Sequence, residues 1–292
     1  MPAHGDHWQA LYGNDADLEA VIRRDCEQSV LVDHFECVDV ANGTERAEEV
    51  ACLRWGKGQL VEDMLIVTDS VQQEQFLFSG YPVVTDGMLH KVQVAKVEPW
   101  EYGIEGWLHV LVGENKVPVS FFDTRYYAGS AQLAVGEQVE VRLAGLAYSI
   151  RPMQQRTIEV EEGPLWEMQK NRRLEEGMTP EDASAPVVIH LSGMAVFLPR
   201  EGEDCDDAEF AGVVDAIEHF DHAGIAMVKL DVVVMRMGDE AFTLPIFVSE
   251  YVLNGFKPRV GDDIQGLMWV QGQVECEIST APRDAVIAPT DQ

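Results

Sequence analysis

Two short histidine clusters are the first residues in this sequence whose types and spacing suit chemistry. His219-Phe220-Asp221-His222 sets two imidazoles and a carboxylate within four positions. Imidazole with carboxylate suits zinc or a similar divalent ion. His219, Asp221 and His222 are therefore the candidate metal ligands, and a metal-dependent enzyme is one reading of the chain, provided further ligands converge on them. An expected hairpin turn at this point gives the same polar residues a purely structural reason. His4-Gly5-Asp6-His7 repeats the spacing near the N-terminus, where a mobile terminus is expected. His34-Phe35-Glu36-Cys37 falls in an alternating pattern that reads as strand. The run Glu201-Gly202-Glu203-Asp204-Cys205-Asp206-Asp207 has carboxylates enough for calcium. It lacks the alternation and terminal glutamate of an EF-hand loop and reads as a solvated loop. The sequence has no G-x-S-x-G, no H-E-x-x-H, no P-loop and no G-x-G-x-x-G between strand and helix. A non-enzymatic protein without a cofactor is the expectation.

Charge narrows the partners. The chain has 292 residues with 51 acids against 21 bases, a formal net charge of -30. Nucleic acid and anionic membranes are bound mainly through Lys and Arg, so this balance repels both at long range. Residues 91–160, with 8 acids and 7 bases, are the one stretch where the objection weakens. The acidity also suits a solubility role or a salty cytoplasm. No apolar run reaches the ~18 residues of a membrane span, and the N-terminus lacks the basic and apolar regions of a signal peptide. The cysteines Cys26, Cys37, Cys52, Cys205 and Cys276 are odd in number and widely spaced. That points to a reducing cytoplasm, with each thiol a small core residue.

The elements that must position these residues are mainly strands. Asn14-Asp15-Ala16-Asp17 reads as a helix start, with Leu18, Val21 and Ile22 following at helical spacing. From about residue 28 the pattern alternates, through Val30-Leu31-Val32, Cys37 to Val40, Val50 to Leu53 and Met64 to Val67. Residues 163–176 form a second helical candidate, ended by Gly177. Met178 to Pro186 reads as a linker.

An internal repeat organises the rest. Phe78-Ser79-Gly80 resembles Leu191-Ser192-Gly193. Val94 to Trp100 aligns with Val214 to Phe220. Leu108, Val110 and Val112 match Val228, Leu230 and Val232. Val117-Pro118-Val119 meets Leu244-Pro245-Ile246, and Val135-Gly136-Glu137 meets Val260-Gly261-Asp262. Five matches in one order read as a duplicated module over about 75–150 and 188–272. Each copy has three strands, a linker long enough for one helical turn (Tyr126–Leu133 or Tyr251–Phe256), then a Val-Gly-acid turn and a fourth strand.

This plan resembles the OB-fold superfamily of small Greek-key β-barrels, although a clear fifth strand is missing from both copies. The expected fold is thus mainly β, a duplicated OB-like barrel with an N-terminal α+β region and a connecting helix. The expected divisions are an N-terminal region 1–74, a first barrel 75–160, helix and linker 161–187, a second barrel 188–281 and a tail 282–292. Alternation points Leu108, Val110, Val112, Val117, Val119, Phe121, Val139, Val141 and Leu143 inward, and Trp107, His109, Phe122 and Arg142 outward. The resemblance implies a ligand face on the outward side of strands two and three. Trp107, His109, Phe122 and Arg142 are therefore the candidate ligand-binding residues, suited to stacking a single-stranded nucleic acid. The alternative is that Trp107 and Phe122 pack against the N-terminal region or the other barrel. Taken together, the expectation is a cytoplasmic interaction protein whose acidity steers it to a basic protein partner. Nucleic-acid binding through the first barrel is the alternative, and the metal enzyme a second.

Overall fold

The computed structural model describes residues 4–14, 16–39, 46–69, 74–100, 103–154, 157–200, 202–237 and 240–275. Two helices come first, α1 (Gly5–Tyr12) and α2 (Leu18–Gln28). Asp17 starts α2, its carboxylate accepting from the Ala20 amide at 3.1 Å, so the helix begins three residues after the Asn14 that the sequence suggested. Four strands follow as an antiparallel meander, β1 (Val30–Asp39), β2 (Arg46–Trp55), β3 (Leu60–Thr68) and β4 (Gln75–Val84).

The remaining strands, apart from a two-stranded ribbon, form one large mixed sheet. They are β5 (Met88–Pro99), β6 (Gly106–Val112), β7 (Val117–Asp123) and β8 (Gln138–Pro152), then β9 (Thr157–Val160) of a separate ribbon. After α3 (Pro164–Glu175) and α4 (Pro180–Ala183) come β10 (Val187–His190), which completes that ribbon, and β11 (Val196–Pro199). The chain ends through β12 (Asp207–His222), β13 (Ile225–Met237), β14 (Glu240–Ser249), α5 (Glu250–Leu253) and β15 (Asp263–Val274). The helix expected over 163–176 is α3, and the expected linker carries the short α4. Among the described residues no helix is long and apolar enough to cross a membrane.

The pairings close on themselves twice. β5 pairs β6, β6 pairs β7, β7 runs parallel to β15, β15 pairs β8, and β8 returns to β5. Likewise β12 pairs β13, β13 pairs β14, β14 runs parallel to β8, β8 pairs β15, and β15 returns to β12. Each circuit has five strands, and both contain β8 and β15. The fifth strand absent from each stretch of sequence is therefore supplied by the other stretch. Sharing demands close backbone approach. A Cβ at Gly266 would press on the Ser149 carbonyl oxygen, and one at Gly212 on that of Val233. Single helical turns occupy both linkers, at Tyr126–Ala128 with Ser130–Gln132, and at α5.

Two hydrophobic cores result. One lies inside the circuits and is continuous across both, with Leu108, Val110, Phe121, Val141 and Leu143 meeting Leu230, Leu244, Ile246 and Met268. The residues sorted inward by alternation all belong to it or, as Val117 and Val139 do, pack against it. The second core lies on the outside of the circuits. There Phe122, Leu146, Met227, Phe247 and Trp269 meet Leu11, Leu60, Val61, Leu65, Tyr81 and Val83 of the N-terminal elements. Polar contacts lock this layer. The buried Gln271 side chain accepts from Val84 N at 2.9 Å and donates to Pro82 O at 2.8 Å, reading β4 as a neighbouring strand would. Trp8 Nε1 donates to Gly80 O at 2.8 Å, and Ser249 Oγ donates to Ala10 O at 2.7 Å.

Candidate functional site

The second core gathers polar chemistry at its edge. His4, at the start of α1, is 0% exposed. Its ring stacks on Trp100 with centroids 5.2 Å apart and meets Tyr81 and Phe122 edge-on, each at 5.0 Å. Trp269 lies 5.7 Å away, and Trp107 packs T-shaped on Trp100 at 5.1 Å. His4 Nδ1 is 3.0 Å from Nδ1 of His7, and His4 Nε2 is 3.4 Å from the Glu105 carboxylate. His7 lies flat on Trp269, 3.6 Å between centroids and 1° from parallel. Burial, and then His4, hold the His7 imidazole well below its ordinary range. The terminus expected to be mobile is instead held in place, with His4, Trp8 and Leu11 buried. Its sequence signal is the apolar spacing of Trp8 and Leu11, which anchors the helix by filling the second core.

Two carboxylates of the acidic loop also turn inward. Asp206 accepts from Trp269 Nε1 at 2.7 Å, and Asp207 accepts from the Tyr148 hydroxyl at 3.0 Å. Burial raises both, Asp207 to about 6, while the indole N–H opposes the rise at Asp206. Among the described carboxylates of the loop, Asp204 fits the solvated-loop expectation, its side chain 65% exposed.

The predicted ligand-binding residues divide. Trp107 and Phe122 come together in the aromatic cluster, on the outward face as alternation requires, but β4 and α1 cover that face. Phe122 is 0% exposed, so its ring is closed to a ligand on the open surface. His109 stands apart, bonded through Nδ1 to Ser120 Oγ at 2.7 Å and through Nε2 to Glu98 at 3.0 Å. Arg142 pairs with Glu275 and donates to Gly87 O at 3.5 Å.

The predicted metal ligands do not converge. Along β12 the side chains alternate, so His219 and Asp221 are exposed on one face while His222 is buried on the other. Among the described residues no three His, Cys, Asp or Glu side chains form a metal-holding group. His222 joins a different cluster. Its Nε2 lies 2.7 Å from Oε1 of Glu62, which also accepts from the Tyr12 hydroxyl. The other Glu62 oxygen accepts from Arg24 at 2.6 Å, and Arg24 bonds Asp25 at 2.5 Å with its guanidinium 3.6 Å from the Trp55 ring centroid. Burial, then the Glu62 carboxylate, push Asp25 up to about 8. Burial, then Arg24, push His222 down to about 4. Tyr12 ends α1, Arg24 is on α2, Glu62 on β3 and His222 on β12, so the cluster pins α1 and α2 to the large sheet. Of the cysteines expected in the core, Cys52 is buried, Cys26 is exposed, and the side chains of Cys37 and Cys276 lie outside the described residues.

A groove of about 490 Å³ lies elsewhere, across four neighbouring strands β8, β15, β12 and β11. Two cross-strand rows make its floor. Ser149, Leu267, Glu209 and Leu198 form one, and Arg151, Gln265, Ala211 and Val196 the other. Leu198 is 57% exposed, and β11 is the open edge of the sheet. Gln265 accepts from Arg151 at 2.9 and 2.8 Å with its amide oxygen turned toward it, which occupies the one cation of the floor. Among the described residues Glu209 is the charge of the floor without an ion-pair partner. The volume is that of a ligand or side-chain site. Sequence reasoning missed this groove because β8, β12 and β15 are distant in the chain. No family model matches this sequence, and no curated protein matches it.

Proposed function

We propose that this protein is a non-enzymatic binding module that engages a basic, amphipathic segment of a protein partner through the groove on β8, β15, β12 and β11. The observation carrying this is the groove floor, where Leu198, Leu267 and Val196 surround the Glu209 carboxylate. Apolar anchors with an acidic floor suit a segment with alternating apolar and cationic side chains. The net charge of -30 steers such a segment toward the protein. The five-strand circuits support reading the scaffold as a duplicated pair of OB-like barrels, each completed by a strand of the other. A cytoplasmic setting accords with the free thiols of Cys26 and Cys52. The nucleic-acid alternative rests on Trp107, His109, Phe122 and Arg142, and the burial of Phe122 and the Arg142–Glu275 pair weigh against it.

The test is fluorescence anisotropy of a labelled amphipathic Lys/Leu peptide, with labelled single-stranded DNA in parallel, at low and moderate salt. Saturable, salt-sensitive peptide binding is expected, weakened about tenfold by Leu198→Ser, which removes one apolar anchor worth ~1.4 kcal/mol without adding charge. Leu198→Ser leaves folding intact because the side chain is exposed. Peptide binding indifferent to Leu198→Ser would refute the assignment of the groove, and DNA binding would restore the alternative.

A further inference from the structure

We propose that the aromatic cluster around His4 is a recognition site for a small planar organic cation, with His4 as its tethered occupant. This is independent of the groove. Three observations carry it. The first is the wall of rings, with Trp100 stacked on the imidazole and Tyr81 and Phe122 edge-on to it. Such enclosures favour cations through the negative faces of the rings. The second is charge. Among the described residues the charged or titratable groups facing His4 are the carboxylate of Glu105 at 3.4 Å, 4% exposed, that of Asp206, 6% exposed, and the imidazole of His7. Two buried carboxylates beside one cation-capable ring are matched to a positive occupant.

The third observation is buried polar capacity left under-used. His4 Nε2 and Glu105 Oε1 meet only each other, at 3.4 Å and without completing a hydrogen bond, and Trp100 Nε1 in the same cluster has no hydrogen-bond partner among the described residues. Buried polar groups are ordinarily satisfied. His4 therefore fills the site without using all its bonding capacity, and a cation with more donors, such as a guanidinium, would use it more fully. The tether is short. Trp8 and Leu11 fix the later part of α1, with Trp8 bonded to Gly80 O, and His4 itself has no side-chain cap bond to the helix. Withdrawing His4 thus requires unwinding only the first turn.

The test uses the full chain with His4→Ala, titrated with imidazole at a pH where imidazole is protonated. The readouts are tryptophan fluorescence, which reports Trp100 and Trp269, and the melting temperature. The control ligand is pyrazole, equal in size and shape but neutral. Saturable binding of imidazole is expected, with pyrazole about tenfold weaker or more, as a desolvated cation–ring and carboxylate contact implies. Wild type is expected to respond at least about tenfold more weakly than His4→Ala, because its own ring competes at high effective concentration. Equal binding of both ligands shows cavity filling alone and overturns the proposal, as does no saturable response. Should His4→Ala fail to fold, His4→Ser takes its place, titrated with imidazole with and without Glu105→Gln. Imidazole binding weakened about tenfold in the Glu105→Gln background is then expected, and equal binding in both backgrounds overturns the proposal.

Discussion

Replacing Glu62 with leucine removes one acceptor from three donors at once. Glu62 is 0% exposed and accepts from Tyr12, His222 and Arg24, which reach it from the end of α1, from β12 and from α2. Arg24 keeps Asp25 and the Trp55 ring, and its side chain is 26% exposed, so water recovers much of its loss. His222 is 4% exposed and has no such recourse. Orphaning one buried donor costs ~1–3 kcal/mol, and adding the lost bonds from Tyr12 and Arg24 at ~1 kcal/mol each gives about 3–5 kcal/mol. Glu62→Gln keeps an acceptor of the same shape and is expected to cost about half as much. The assay is urea unfolding followed by tryptophan fluorescence at neutral pH, with the slope of the transition checked for constancy. A loss under about 1 kcal/mol for Glu62→Leu would refute the view that this carboxylate pins the helices to the sheet. So would equal losses for the two variants.

Three further outcomes follow from the same contacts. His222 binds a proton near 6.5 when unfolded but only near about 4 when folded, so its contribution is full at neutral pH and is lost as pH falls from 6.5 toward 4. Since nearby Asp25 titrates in the opposite sense, the check is a comparison: between pH 7 and 5, His222→Gln should lose ~2 kcal/mol less than wild type in urea midpoints, and parallel losses would refute it. Phe122→Ala should cost about 3–5 kcal/mol in the same assay, because the ring is a fully buried member of the second core; a near-neutral change would return Phe122 to an open ligand face. Gly266→Ala should cost more than about 2 kcal/mol and lower the melting temperature, because the added methyl meets the rigid Ser149 carbonyl in the shared strand pair; a melting temperature equal to wild type would show that the two strands part easily.

Much of the strand framework was legible along the chain. Alternation sorted Leu108, Val110, Phe121, Val141 and Leu143 to the interior correctly, because a strand with one covered face repeats every two residues whatever it packs against. The helix over 163–176 was legible from its apolar spacing and its terminal Gly177. The short α1 was not, because eight residues carry too little periodicity to outweigh a terminal position. Alternation also put Trp107 and Phe122 on the outward side, which is where they are. It is silent on whether an outward side meets water or a second layer, and here β4 and α1 supply that layer.

The sequence by itself determined the mainly β character, the acidic surface, and which side of each strand faces its own core, since these depend on composition and on neighbours two residues apart. Tertiary structure alone decided that β8 and β15 serve both circuits, that Gln271 clamps β4, and that His222 answers to Glu62 instead of to His219 and Asp221. Each of those depends on residues more than a hundred positions apart being brought together by the fold. Such meetings are fixed by which arrangement buries the most apolar surface while leaving the fewest polar groups unpaired. That is a property of the whole chain, and no local spacing encodes it.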